Sequence, residues 1–206
     1  MGESLAETTQ QWTNESVLKF AAGRDPVQAV VHAARDAALQ AMDAGWGGPP
    51  YDPIRLAEMR GLAMSPRADI PDARMVPSGA GRLLIEYNPT RPAARLRYSI
   101  AHEIAHTLFP DCAARIRNRG GSHTGIGDEW QLETLCNIAA AELLMPLGSI
   151  SNYEAALLDI DKISEARKRF EVSTEAVLIR LAHLSSAPCA VFVASRKAAS
   201  DDYTFD

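Results

Sequence analysis

Arg97-Tyr98-Ser99-Ile100-Ala101-His102-Glu103-Ile104-Ala105-His106 is the stretch on which the reading of this chain turns. It contains His-Glu-x-x-His. On an α-helix His102 and His106 fall one turn apart on a single face, so both imidazoles can meet one metal ion. Glu103 points in a neighbouring direction, suited to working on a water rather than to ligation. Ile100, Ala101, Ile104, Ala105 and Leu108 make the segment apolar, which predicts a buried helix starting near Pro92 and stopped by Pro110. Imidazoles and carboxylates are costly to bury unless paired or metal-bound. The pattern therefore implies two nitrogen ligands, a general base and an open coordination position, the donor set of a catalytic zinc.

A catalytic zinc usually takes a third protein ligand, and two residues compete for that place. Glu133 lies on a helix predicted from its Asp128 cap to Met145, with Asn137 one turn later on the same face. Glu133 would complete a His-His-Glu set. Asn137 would accept the N–H from the far side of a ligand imidazole. The rival is Cys112, ten residues after His102, where peptidases with a longer motif carry a third histidine. Phe109 occupies the position at which that motif needs glycine for its turn, so Glu133 is favoured. Cys112 keeps a second candidate role, as a thiolate that holds the enzyme off by taking the open position.

Around these residues the chain is ordinary. Its 206 residues are 47% hydrophobic and 23% charged with a net charge of -5, which excludes a generic attraction for nucleic acid. No apolar run approaches a bilayer's span, and no signal-like core follows Met1, so no membrane association is expected. Cys112, Cys136 and Cys189 read as reduced thiols in a cytoplasm. Arg91, Arg95 and Arg97 precede the motif and Arg115, Arg117 and Arg119 follow it. Together they are a candidate patch for an acidic partner or a single-stranded nucleic-acid activator.

Helices are expected over Pro26–Ala44, Ile54–Arg60, Asn152–Ile160, Lys162–Phe170 and Thr174–Leu184. Ala73–Val76 and Arg82–Tyr87 flank a Gly-rich turn and suggest an antiparallel hairpin, an edge of which could dock an extended substrate. Pro110–Gly127 reads as a long loop, and Ser200–Asp206 as a disordered tail. Pro188–Ala194 reads as a single strand that must pair with the hairpin, another chain or a further domain.

The block from Arg97 to Phe109, with Glu133-x-x-Cys136-Asn137-x-x-Ala140-Ala141-Glu142-Leu143-Leu144-Met145-Pro146, resembles the ImmA/IrrE family of metallopeptidases over roughly residues 50–185. That resemblance implies zinc on His102, His106 and Glu133, with Glu103 as base. It implies cleavage of a helix-turn-helix repressor that releases stress, DNA-damage or phage-defence genes. The implied fold class is α+β, predominantly helical: a zincin-like peptidase core with a small antiparallel sheet and a C-terminal helix-turn-helix-like portion. The implied boundaries are 1–25 for an N-terminal lead, 26–148 for the core, 149–186 for the helical portion and 187–206 for a terminal strand and tail. Tyr98 and His123 are candidate donors to the oxyanion of the tetrahedral intermediate. The alternative function is a zinc-containing regulator that binds a repressor or nucleic acid without cutting.

Overall fold

A computed structural model describes residues 11–79, 82–118, 127–150, 159–185, 188, 194–196 and 203–205. The expected helix over 152–160, the strand over 189–193, His123 and Arg119 fall wholly or mostly outside these residues, as does the side chain of Arg117.

The first element, α1 (Glu15–Ala21), lies inside the stretch expected to be a lead. Asn14 caps it by accepting from the backbone N–H groups of Ser16 and Val17. α2 (Pro26–Asp43) follows, with proline at its first turn and Asp25 accepting from Gln28 N–H at 2.8 Å. Its face of Ala29, Val30, Ala34, Ala37, Ala38 and Ala41 is buried, and the small side chains let a neighbouring helix approach closely. α3 (Pro53–Met59) is capped by Asp52 and followed by Gly61 at φ 71°, a left-handed conformation that glycine adopts without strain.

The sheet has three strands, ordered β1-β3-β2, from β1 (Ala63–Pro66), β2 (Ala73–Ser78) and β3 (Arg82–Tyr87). β2 and β3 form the expected antiparallel hairpin, with Met75 opposite Ile85. β1 pairs parallel with β3, which makes the sheet mixed rather than a simple hairpin. Pro77, which cannot donate to a ladder, sits on the edge strand β2. Glu86 is buried on this sheet and is held by Arg67 at 3.2 Å and Arg74 at 2.7 Å.

α4 (Ala93–His106) packs on the sheet and against α6 (Glu129–Leu144), which lies between α4 and α2. α4 ends at His106, a turn before Pro110. Between the two helices α5 (Cys112–Asn118) occupies the first half of the segment expected to be a loop. α6 is the central element. Leu135, Cys136, Ala139, Ala140 and Glu142 are all fully enclosed, so this helix meets protein on nearly every side. α7 (Leu147–Ile150) is a single turn. α8 (Ile160–Phe170) ends on Glu171 in the left-handed conformation, and Ser173 caps α9 (Thr174–Leu184).

Two groups of polar contacts tie distant segments to α6. At its start, Gln131 Oε1 accepts from the backbone N–H groups of Thr13 and Asn14, both at 2.9 Å. Asn14 Nδ2 donates to Asp128, and Ser16 bonds Asp111 across the base of α5. At its end, Glu142 is wholly enclosed and takes Arg180 of α9 at 2.7 Å, Arg35 of α2 at 3.3 Å and the Leu147 N–H at 3.1 Å. Finally, β4 (Ala194–Arg196) pairs antiparallel with β5 (Tyr203–Phe205). β4 meets the expected terminal strand only at Ala194, while β5 falls inside the tail that was expected to be disordered. The architecture is predominantly helical with a small mixed sheet, an α+β fold.

Candidate metal centre

Two helices build the site. On α4 the one-turn spacing brings the rings of His102 and His106 to 4.9 Å between centroids, nearly edge to face. A ligand atom from each of His102, Glu103 and His106 lies within 4.8 Å of the others. Across from them α6 contributes Glu133. Its Oε2 is 3.0 Å from His102 Nε2 and its Oε1 is 3.7 Å from His106 Nε2. His106 and Glu103 are buried, whereas the Glu133 side chain is 42% exposed, so the centre opens towards solvent on the α6 side.

The outer nitrogens of both rings are also held by α6. His102 Nδ1 meets Asn137 Oδ1 at 2.8 Å, and an amide oxygen can only accept, so this nitrogen carries its hydrogen. His106 Nδ1 meets Cys136 Sγ at 3.3 Å. Both Nε2 atoms are thereby turned towards the Glu133 carboxylate. Burial works against a proton on His102, but the hydrogen bond it donates to Glu133, the charges of Glu103 and Glu133 and the Asn137 contact outweigh it, so its pKa is raised above 6.5. Two imidazole nitrogens and a carboxylate converging on one point form a donor set that suits a divalent cation. The residues present therefore fit the metal that the motif implies.

Tyr98, one turn before His102, donates its hydroxyl to Asn137 Oδ1 at 2.8 Å. Burial, helped by the Glu175 and Cys136 charges, pushes its pKa up to about 12, so it stays a neutral donor. This hydroxyl lies on the Nδ1 side of His102, away from Nε2. The Tyr98 hydroxyl, expected from sequence as an oxyanion donor, is thus engaged with Asn137.

Cys112 is buried at the start of α5 with its sulfur 3.9 Å from Met75 Sδ. Four of the six arginines expected to form a patch have described side chains, and these four turn to carboxylates. Arg95 makes a bidentate pair with Asp72 at 2.6 and 2.7 Å, and Arg91 shares the same carboxylate at 3.2 Å. Arg97 turns inward, donating to Tyr51 O at 2.7 Å and approaching Glu171 at 3.8 Å, and so braces α4 against the end of α8. Arg115 grips both Glu129 oxygens at 2.6 Å and donates to Ser16 at 2.8 Å. Each has a carboxylate from a distant segment, a pairing that no local pattern reveals.

The family model of the IrrE N-terminal-like domain, Peptidase M78, matches residues 64–182, more than half of the chain. The chain belongs to this metallopeptidase family. It is 32% identical over 95 residues to the radiation response metalloprotease IrrE of Deinococcus deserti, covering 46% of this chain and 34% of that protein. With the protein of the same name from Deinococcus radiodurans it shares 30% identity over 106 residues, 51% of this chain and 32% of that one. The chain thus spans about a third of the length of these curated relatives. A Mycobacterium tuberculosis transcriptional regulator has a similar fold, with a TM-score of 0.51 at 18% identity, over 74% of this chain and 46% of that one. Among the described residues no helix is long and apolar enough to cross a membrane.

Proposed function

We propose that this chain is a zinc-dependent endopeptidase of the cytoplasm that cleaves a helix-turn-helix transcriptional repressor and so releases a stress, DNA-damage or phage-defence response. The observation that carries the reading is the position of Glu133, which arrives from a second helix within 3.0 and 3.7 Å of the two motif imidazoles. His102, His106 and Glu133 would hold the metal. Bound there, zinc would acidify a water molecule and polarise a peptide carbonyl.

The remaining work falls to the chain's own residues. Glu103, buried beside the two ligand histidines, takes a proton from the attacking water and returns one to the leaving nitrogen. Although it belongs to the compact donor grouping, its side chain departs from α4 in a different direction from those of His102 and His106, which suits a base better than a ligand. Asn137 fixes His102 in the Nδ1–H tautomer, with Tyr98 behind it. The helix pair α8–α9, with its tight Glu171–Ser173 turn, supports a helix-turn-helix-like portion packed on a zincin-like core. A repressor as substrate is suggested by the family resemblance, and the stress setting by the relatives described as radiation response metalloproteases. The internal pairing of Arg91, Arg95, Arg97 and Arg115 lends nothing to a nucleic-acid trigger. The packing of Cys112 on Met75 likewise lends nothing to a thiolate switch.

Co-expression with the product of a neighbouring repressor gene tests the reading. Wild-type chain should deplete the repressor band, and Glu103→Gln should leave it intact while binding zinc as tightly, since loss of a general base costs about a hundredfold to ten-thousandfold in rate. Equal repressor levels with both proteins would replace the peptidase by a zinc-containing regulator that binds without cutting.

A further inference from the structure

One turn of α6 serves both motif histidines. Glu133, Cys136 and Asn137 stand at i, i+3 and i+4, so they share a face towards α4. Glu133 meets the two Nε2 atoms, Asn137 meets His102 Nδ1, and Cys136 Sγ meets His106 Nδ1 at 3.3 Å. The thiol is fully enclosed and His106 is 6% exposed, so bulk water is kept from this contact. Cysteine in an apolar helix reads from sequence as a small core residue, and the contact gives it a second occupation.

We infer that Cys136 is a positioning residue for metal binding, whose sulfur accepts the His106 Nδ1–H and keeps Nε2 directed at the metal. The inference rests on the metal-site reading above. A thiol next to an imidazole has two arrangements. Either sulfur donates to a bare Nδ1, which puts the ring hydrogen on Nε2, or Nδ1–H donates to sulfur, which leaves the Nε2 lone pair available. Only the second lets Nε2 ligate. Sulfur is a weak acceptor, so what it supplies is chiefly direction. The ring can rotate about its Cβ–Cγ bond, and a partner behind Nδ1 restricts that rotation. Asn137 does the same for His102 with a stronger acceptor, and neighbouring residues of one helix thus fix both ligands by the same device.

The test uses the full chain with zinc and with cobalt(II). Chelator competition on Cys136→Ala should show zinc affinity lower by about tenfold to a hundredfold, the usual consequence of removing a group that orients a ligand. Cys136→Ser retains an acceptor and should stay within about threefold of wild type. In cobalt(II)-loaded wild type, two solvent-exchangeable, hyperfine-shifted imidazole N–H resonances are expected, and Cys136→Ala should move one while leaving the other in place. A packing role alone would lower the melting temperature and leave resonances and affinity unchanged. Zinc affinity of Cys136→Ala equal to wild type, with both resonances unmoved, overturns the inference. So does a wild-type spectrum with a single N–H resonance, a result that needs no variant to fold. Wild-type protein that binds no zinc removes the metal-site reading itself, an outcome distinct from a variant that matches a zinc-binding wild type.

Discussion

Replacing Glu142 by alanine probes how α9 is fastened to the peptidase core. The carboxylate is wholly enclosed at the end of α6 and receives Arg180 at 2.7 Å, Arg35 at 3.3 Å and the Leu147 N–H at 3.1 Å. Arg180 is only 2% exposed, and its Nε donates to Met145 O at 3.1 Å. Burial already lowers the Arg180 pKa, with Glu142 opposing that effect, so removing the carboxylate leaves a buried cation uncompensated. Breaking such a pair from one side costs about 3–5 kcal/mol. The stranded Leu147 N–H adds about 1 kcal/mol, though that end is only partly enclosed. We expect a loss of about 4 kcal/mol by urea denaturation, and a melting temperature lower by about 8–16 °C for a chain of this size. The double variant Glu142→Leu with Arg180→Met should recover much of that loss, because both charges go together and apolar groups fill the space. A Glu142→Ala protein within about 1 kcal/mol of wild type, or a double variant whose loss equals the sum of the singles, would refute the reasoning.

Two further outcomes follow from the site. When absorbance near 295 nm is followed with rising pH, a tyrosine ionisation at about 12 is expected from Tyr98, and Tyr98→Phe should abolish that step. Its folded pKa stands above the ordinary value of 10, so the stability it contributes is complete below pH 10 and is lost as pH rises from 10 through 12; alkaline denaturation should accordingly shift to higher pH in Tyr98→Phe. Cys112→Ser should leave basal peptidase activity and zinc affinity unchanged while lowering stability by about 1–2 kcal/mol, because a hydroxyl would enter the apolar contact with Met75. Raised activity in that variant would restore the thiolate switch.

The parts of this molecule that could be read in advance are those governed by spacing along one helix. His102, Glu103 and His106 belong to that class, as do Glu133 and Asn137, where two polar residues interrupt an otherwise apolar face. The helices α2 and α3 announced themselves through aspartate caps and glycine stops. What escaped depends on contacts between distant residues. α1 is only seven residues long and is pinned by Gln131 and Asp128, far along the chain. β1, with the sequence Ala-Met-Ser-Pro, has no alternation of its own and is a strand because β3 lies beside it. The pairing of Arg91, Arg95 and Arg115 was hidden because charges are counted along the sequence, while Asp72 and Glu129 answer these three in space. Cys136 carried no signal separable from core packing.

The family signature begins at residue 64, but the unit that folds does not. Arg35 lends a cation to Glu142, the alanine face of α2 covers α6, and Asn14 and Ser16 hold the approaches to α6 and α5. A protein shortened to residues 64–182 would keep every proposed ligand and strip the outer wall from the helix that presents Glu133. The family signature and the packed helical body are therefore different stretches of this chain, and trimming to the first would dismantle the second.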